Sequence, residues 1–275
     1  VDAAPGQAVR VRVINTDAAT MPVWVAGAPF RLVAVDGTDV LDPTPVTDRS
    51  VQVTAGARAD LEVVVPGDRA DGGGGAEGVG AVRVQVAGAS LVVGRGAAPT
   101  ASAPGEAVDL LTYGAPANRA PGAALPFAAA DADRTFDYDI GRAFGLLDGR
   151  PGAWWTINGH LYPDVPMFMV AEGDRVVMRI SNHSGEPHPM HLHGHHVTVL
   201  SRNGTLASGS PWVVDSLDVA DGDSYEVAFV ADNPGIWMDH CHNLPHAAEG
   251  LVTHLGYIGY STPYLVGDPH GNHPE

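Results

Sequence analysis

Short alternations of apolar and polar residues recur along this chain, and turn residues separate them. Residues 9–15, 61–65, 82–86, 175–181, 197–201 and 225–230 each alternate Val, Ile, Leu, Met, Tyr or Phe along the segment. That period of two puts one side of each segment against a core and the other against water, which predicts β-strands. Long helical periodicity is missing. Abundant Val with frequent Gly and Pro supports the same all-β reading. The strand-and-turn rhythm fits a Greek-key β-sandwich or barrel.

The pattern occurs twice. The segment from Gly6 to Asn15 matches the segment from Gly173 to Asn182 at an offset of 167, with Gly, Val, Arg and Asn at equivalent places. At the same offset Asp36-Gly37-Thr38 matches Asn203-Gly204-Thr205, and both read as turns between strands. Ala55-Gly56 pairs with Asp221-Gly222 at an offset of 166. A repeat of this length implies one fold used twice. An Ala-, Pro- and Gly-dominated stretch between Gly96 and Arg134 separates the copies. The expected organisation is a first unit at 1–110, a linker at 111–134 and a second unit at 135–275. The Gly72 to Gly75 run reads as a loop tip and the tail after Gly267 as a poorly ordered end.

Composition adds bounds. The 275 residues suffice for two domains, and 45% hydrophobic content fits globular folding. No stretch approaches the roughly eighteen apolar residues of a membrane span. Absence of an initiator Met and of a signal peptide points to a mature chain or a fragment. A net charge of −17 argues against binding nucleic acid through a basic surface. All fifteen basic residues are Arg, which fits a GC-rich genome better than salt adaptation. Cys241 is the single cysteine, so no internal disulfide forms and redox compartment is not legible.

The chemistry is concentrated in two runs, His188-Pro189-Met190-His191-Leu192-His193 and His240-Cys241-His242-Asn243-Leu244-Pro245-His246. One thiolate and six imidazoles form a ligand set for copper, zinc or non-haem iron. In an extended segment His240 and His242 point to one side and Cys241 to the other. His191 and His193 also share a face. This suits two metal sites on opposite sides of one strand, joined through the backbone of Cys241. In the first copy, Met21-Pro22-Val23-Trp24-Val25-Ala26-Gly27-Ala28 aligns with the segment from His188 to His195; Pro and Gly recur and all four histidines are replaced.

The two runs read HPxHLHGH and HCHxxxHxxxG followed by an apolar residue. In this the chain resembles the C-terminal copper-binding domain of multicopper oxidases, the family of laccases and metal oxidases. The resemblance implies two tandem cupredoxin-like domains. It assigns His188, Cys241 and His246 to a type 1 copper, with Leu251 at a non-coordinating axial position. It gives His191 to a type 2 copper and His193, His240 and His242 to a type 3 pair. Cys241, His240 and His242 would carry electrons from the first site to the second. The implied activity is one-electron oxidation of phenolic, aromatic or metal-ion donors, coupled to reduction of dioxygen to water. Scattered methionines lean towards organic donors.

A cluster in this family uses eight histidines in four His-x-His pairs, and this chain supplies two pairs. The expectation is therefore domains 2 and 3 of a three-domain enzyme, with an N-terminal cupredoxin domain absent through truncation. A separate chain supplying the two pairs is an alternative. A further one is a type 1 blue-copper electron-transfer module without oxidase activity, and zinc in the Cys-His site is a third. The resemblance also implies an exported location (periplasmic, cell-surface or extracellular) and leaves a homo-oligomer open. Other residues near the motifs read as structural or surface positions: His160, His183, His195, His196, His254, Trp237 and Met238. His270 and His273, in the tail, could bind metal adventitiously. Glu186, Asp215, Asp239 and Glu249 are candidate proton or substrate groups, with surface charge the commoner fate. Ala247 stands where some family members carry a carboxylate.

Overall fold

The computed structural model describes residues 1–67, 80–86, 88–116 and 127–262. The first copy contributes β1 (Ala8–Ile14), β2 (Met21–Ala26), β3 (Phe30–Val35), β4 (Thr38–Asp39), β5 (Val51–Val53), β6 (Arg58–Val64), β7 (Ala81–Val86) and β8 (Ala89–Gly94). They form two four-stranded sheets, ordered β1-β6-β3-β4 and β5-β2-β7-β8. Leu32, Leu61 and Val63 from one sheet meet Val23, Val51, Val82 and Val93 from the other in one apolar cluster. Each such side chain taken out of water stabilises the sandwich by about 1.5–3 kcal/mol.

The second copy contributes β9 (Arg134–Leu147), β10 (Arg150–Ile157), β11 (His160–Leu161), β12 (Met167–Val170), β13 (Arg175–Asn182), β14 (His188–Leu192) and β15 (Val197–Arg202). After these come β16 (Thr205–Leu206), β17 (Trp212–Val214), β18 (Ser216–Val219), β19 (Ser224–Val230), β20 (Ile236–Cys241), helix α1 (Leu244–Ala248) and β21 (Val252–Tyr257). One sheet runs β11-β10-β9-β13-β19-β15-β16, with β17 on β15, and the other β12-β21-β20-β14-β18. The two enclose Tyr138, Ile140, Trp155, Met178, Cys241, Leu251 and Leu255.

The repeat is structural down to single hydrogen bonds. The strand order β13-β19-β15-β16 mirrors β1-β6-β3-β4, and β18-β14-β20-β21 mirrors β5-β2-β7-β8. Asn15 Nδ2 donates to the carbonyls of Ala19 and Val53, both at 2.8 Å. Asn182 Nδ2 donates to Glu186 and Val219 at 2.7 and 2.8 Å. A register shift interrupts β3 between Leu32 and Ala34, and β15 between Val199 and Ser201. Such a bulge bends the strand over its sandwich. Asp36-Gly37 and Asn203-Gly204 have positive φ at both residues (48° and 89°, 51° and 75°), the two-residue hairpin that Asp-Gly and Asn-Gly favour.

The connecting stretch is tied to both units. Trp24 Nε1 and Gln85 Nε2 donate to the Ala101 carbonyl, and Ala101 N–H donates back to Gln85. Val108, Leu110 and Tyr113 pack on the first core, whereas Leu111 is buried in the second. Residues 117–126 of the expected linker lie outside the described residues, as do the Gly72 to Gly75 run and the tail carrying His270 and His273. Among the described residues no helix is long and apolar enough to cross a membrane.

Candidate metal centre

Strand alternation builds two faces on β14 and β20. Their register sets Met190 opposite Cys241 and His191 opposite His240. His188 and Cys241 therefore face the core, and His191 and His240 face away from it. Beyond β20 the chain enters α1, with Pro245 in its first turn, where a missing N–H costs nothing. That single turn returns His246 to the core side of Cys241.

Three donors converge there. Cys241 Sγ lies 3.7 Å from His188 Nδ1 and 3.8 Å from His246 Nδ1, and the two nitrogens are 3.0 Å apart. Such a triangle is spanned by one ion with bonds of about 2.0 Å to nitrogen and 2.3 Å to sulfur. Among the described residues it is the group of His, Cys, Asp or Glu that gathers three donor atoms within 4.8 Å.

The other ring nitrogens are held in place. His188 Nε2 sits 2.7 Å from Ser184 Oγ. His246 Nε2 sits 3.1 Å from Asn243 Nδ2 and 3.4 Å from Glu186 Oε2. Such outer contacts orient a ligating imidazole. Trp155, buried on β10, lies 4.6 Å from both rings, and the Arg142 guanidinium covers its outer side at 3.9 Å. Glu249 accepts the Trp155 Nε1–H at 3.0 Å.

Electrostatics favours a cation. Burial lowers His188 to about 3 and also lowers His246, so both lone pairs are free at neutral pH. Burial raises the Cys241 thiol to about 12. A metal ion held there would supply the missing positive charge and take the place of the thiol proton. A soft sulfur with two imidazoles in a dry apolar pocket fits copper.

On the opposite face, His193 Nε2 and His240 Nε2 are 3.0 Å apart. His240 Nδ1 bonds the Cys241 carbonyl at 2.9 Å, and burial lowers this ring to about 4. The His191 ring lies 4.6 Å from His193 and 5.6 Å from His242. All four imidazoles of the two His-x-His pairs thus share one face, backed by the strand that carries Cys241.

The remaining candidates separate clearly. Leu251 is fully buried in the same core as Cys241, and its carbonyl accepts the Cys241 N–H at 3.1 Å. His195 is buried and bonds Tyr257 Oη at 2.7 Å. His160 and His183 are exposed, and His254 stands on β21. Trp237 donates to the Asn233 carbonyl and packs over Gly194. Asp239 is buried, and that burial pushes it up to about 8. Asp215 contacts His196 and Arg58. Ala247 is buried in α1. Motif reading missed Trp155, Ser184 and Arg142, which stand outside both runs. It also missed Gly56, where a Cβ would lie 2.5 Å from His242 Nε2.

Two tandem cupredoxin-like sandwiches, the second with a buried His-Cys-His triad backed by four imidazoles, define the class as a copper-binding one. A multicopper oxidase family profile matches residues 137–256. Multicopper oxidase MmcO of Mycobacterium tuberculosis is 31% identical over 265 residues, covering 93% of this chain and 47% of that protein. Iron multicopper oxidase fer1 of Mycosarcoma maydis is 25% identical, covering 98% and 48%. The crystal structure of a multi-copper oxidase from Pseudomonas thermotolerans superposes with a TM-score of 0.64 at 26% identity, covering 94% of this chain and 56% of that one. The multicopper oxidase match lies in the second unit, and nearly the whole chain is similar to proteins of that family, which implies copper as the cofactor. The chain spans about half the length of the curated relatives it matches.

Proposed function

We propose that this chain is the part of a multicopper oxidase that accepts electrons from a reducing substrate and holds half of the oxygen-reducing cluster. The observation that carries this reading is the placement of Cys241. Its thiol closes the triad on the core side, while its neighbours His240 and His242 stand with His191 and His193 on the other. In this reading His188, Cys241 and His246 hold a type 1 copper. His191 serves a type 2 copper, and His193, His240 and His242 serve a type 3 pair. Copper bound at the two places supplies one-electron redox chemistry on one side and four-electron reduction of dioxygen to water on the other.

The residues divide the work. His246 carries the outermost imidazole edge, beside Asn243 and the half-exposed Glu186, where a donor approaches. Leu251, Trp155 and Met190 exclude water from the triad. The covalent path from Cys241 into His240 and His242 joins the two faces. The donor is a phenol, an aromatic amine or a metal ion; relatives of this chain include an iron multicopper oxidase and laccases. Two further His-x-His pairs come from the part of the relatives' length that this chain does not span. Action outside the cytoplasm belongs to the same reading.

A second reading, an electron-transfer module with a single copper, is favoured by one observation. Of the described donors, the triad alone gathers three within 4.8 Å. Titration of the chain with Cu(II), followed by optical and paramagnetic resonance spectra, tests both. One tightly held copper with an intense blue band, abolished by Cys241→Ser, is the expected result. Additional type 2 and type 3 signals would remove the need for a further unit. Copper bound without the blue band would overturn the triad assignment.

A further inference from the structure

The first histidine in the sequence is His160, so the first unit has no imidazole to offer a metal. It nevertheless reaches the imidazole face of the second unit, and the repeat isolates how. In each copy the first residue of the Asp/Asn-Gly turn closes the hairpin with its side chain. Arg58 N–H donates to Asp36 Oδ1 at 2.7 Å, and Ser224 N–H donates to Asn203 Oδ1 at 2.7 Å. Beyond that bond the two copies diverge. Asn203 spends its second polar atom inside its own unit, donating from Nδ2 to Asp223 at 2.7 Å. Asp36, almost wholly buried, turns its second oxygen across the seam and accepts the backbone N–H of Asp215 at 2.7 Å. Arg58 follows it, with Nη2 at 2.5 Å from Asp215 Oδ2.

Asp215 is thus held at its backbone and at its carboxylate by a unit that has no imidazole of its own. Its carbonyl oxygen lies 2.6 Å from His191 Nδ1. A carbonyl only accepts, so Nδ1 carries the proton and Nε2 keeps the lone pair. A hydrogen bond on one ring nitrogen decides which nitrogen is left for a metal.

We propose that Asp36 and Arg58 are positioning residues: by fixing Asp215 they set the tautomer and ring plane of His191. The histidine-free repeat then serves as a brace for an imidazole of its partner unit. The consequence for copper rests on the reading of His191 as a cluster ligand; the bracing itself does not.

The test is nuclear magnetic resonance of the metal-free 275-residue chain with ¹⁵N-labelled histidine, the His191 signals being assigned by His191→Gln. Asp36→Asn is the sharpest variant, because it keeps the turn bond as Asn203 does but sets an amide NH2 against the Asp215 N–H. Arg58→Met removes the second hold, and Arg58→Lys restores a cation there. Wild type is expected to show His191 as the Nδ1–H tautomer with a slowly exchanging proton. In Asp36→Asn and Arg58→Met the ring is expected to populate both tautomers and to exchange roughly fivefold faster. Arg58→Lys should recover part of the protection, and His195, bonded to Tyr257, should not change in any variant. An unchanged His191 in a folded Arg58→Met chain overturns the proposal, whatever Asp36→Asn does to folding. Equal loosening of His191 and His195 also overturns it, since that reports general softening. If Cu(II) gives no blue band with the wild-type chain, the functional reading fails while this one is still decided by the metal-free spectra.

Discussion

The two units use one topology for opposite purposes, and the difference sits on the two faces of one strand pair. In the first unit, Trp24 and Gln85 pair across β2 and β7, as His191 and His240 pair across β14 and β20. Trp24 and Gln85 grip the backbone of the chain's own connecting stretch at Ala101. The equivalent face of the second unit presents imidazoles. On the core side Val86 stands opposite Val23, where the second unit sets Cys241 opposite Met190. The sandwich is therefore a scaffold on which side chains at matched positions decide between peptide docking and metal chemistry. The second unit also adds β9, β10 and β11, which have no counterpart among the described residues of the first. They bring Trp155 and Arg142 over the triad.

The largest test of that contrast is Trp155→Ala. Removing a fully buried indole costs about 3–5 kcal/mol, and the loss should fall on the second unit alone. Calorimetry should show two transitions moving apart, together with weaker copper binding; a uniform shift of both would argue that the units melt as one. Next is Gly56→Ala. Its φ of +79° is strained for Ala by about 1–2 kcal/mol, and the new Cβ would press on His242. Histidine spectra should show His242 displaced while His188 and His246 are unchanged. A smaller effect is expected of Leu251→Met. A thioether donor at that buried position stabilises the oxidised ion, so the reduction potential should fall. An unchanged potential would place Leu251 away from the metal.

The smallest effect concerns the added strand. Arg175 holds the Asp133 carboxyl down at about 2 through side-chain and backbone hydrogen bonds, tying the entry of β9 to β13. A depressed folded value means the contribution is present above the unfolded value of about 3.9 and is lost as pH falls towards about 2. The modest melting difference between wild type and Asp133→Asn should therefore vanish across that window. A difference that persists at the acid end would assign the effect to something other than this ion pair.

Much of this was legible beforehand because it is local. Alternation at 9–15 and 175–181 marked strands, and the offsets of 167 and 166 reappear in the Asn15 and Asn182 bonds and in the two bulges. The two histidine runs named every member of the triad. Trp155 was invisible because its tie to His188 and His246 crosses many residues and leaves no motif. Ser184 and Asp36 look like ordinary turn residues until their partners are seen. The connecting stretch read as a linker from its Ala, Pro and Gly content, yet Leu111 enters the second core and Tyr113 accompanies the first.

By itself the sequence determined the strand periodicity, the duplication, the donor set and the opposite orientation of Cys241 and its two neighbouring histidines. Each follows from spacing along one chain segment, where backbone geometry dictates direction. Tertiary structure alone decided which nitrogen of His188 and His246 turns to the sulfur. It also decided that burial keeps those rings neutral and the thiol protonated, and that the first copy, which carries no histidine, braces His191 through Asp215. These depend on which groups from distant segments remove water and offer hydrogen bonds, and no local pattern encodes that.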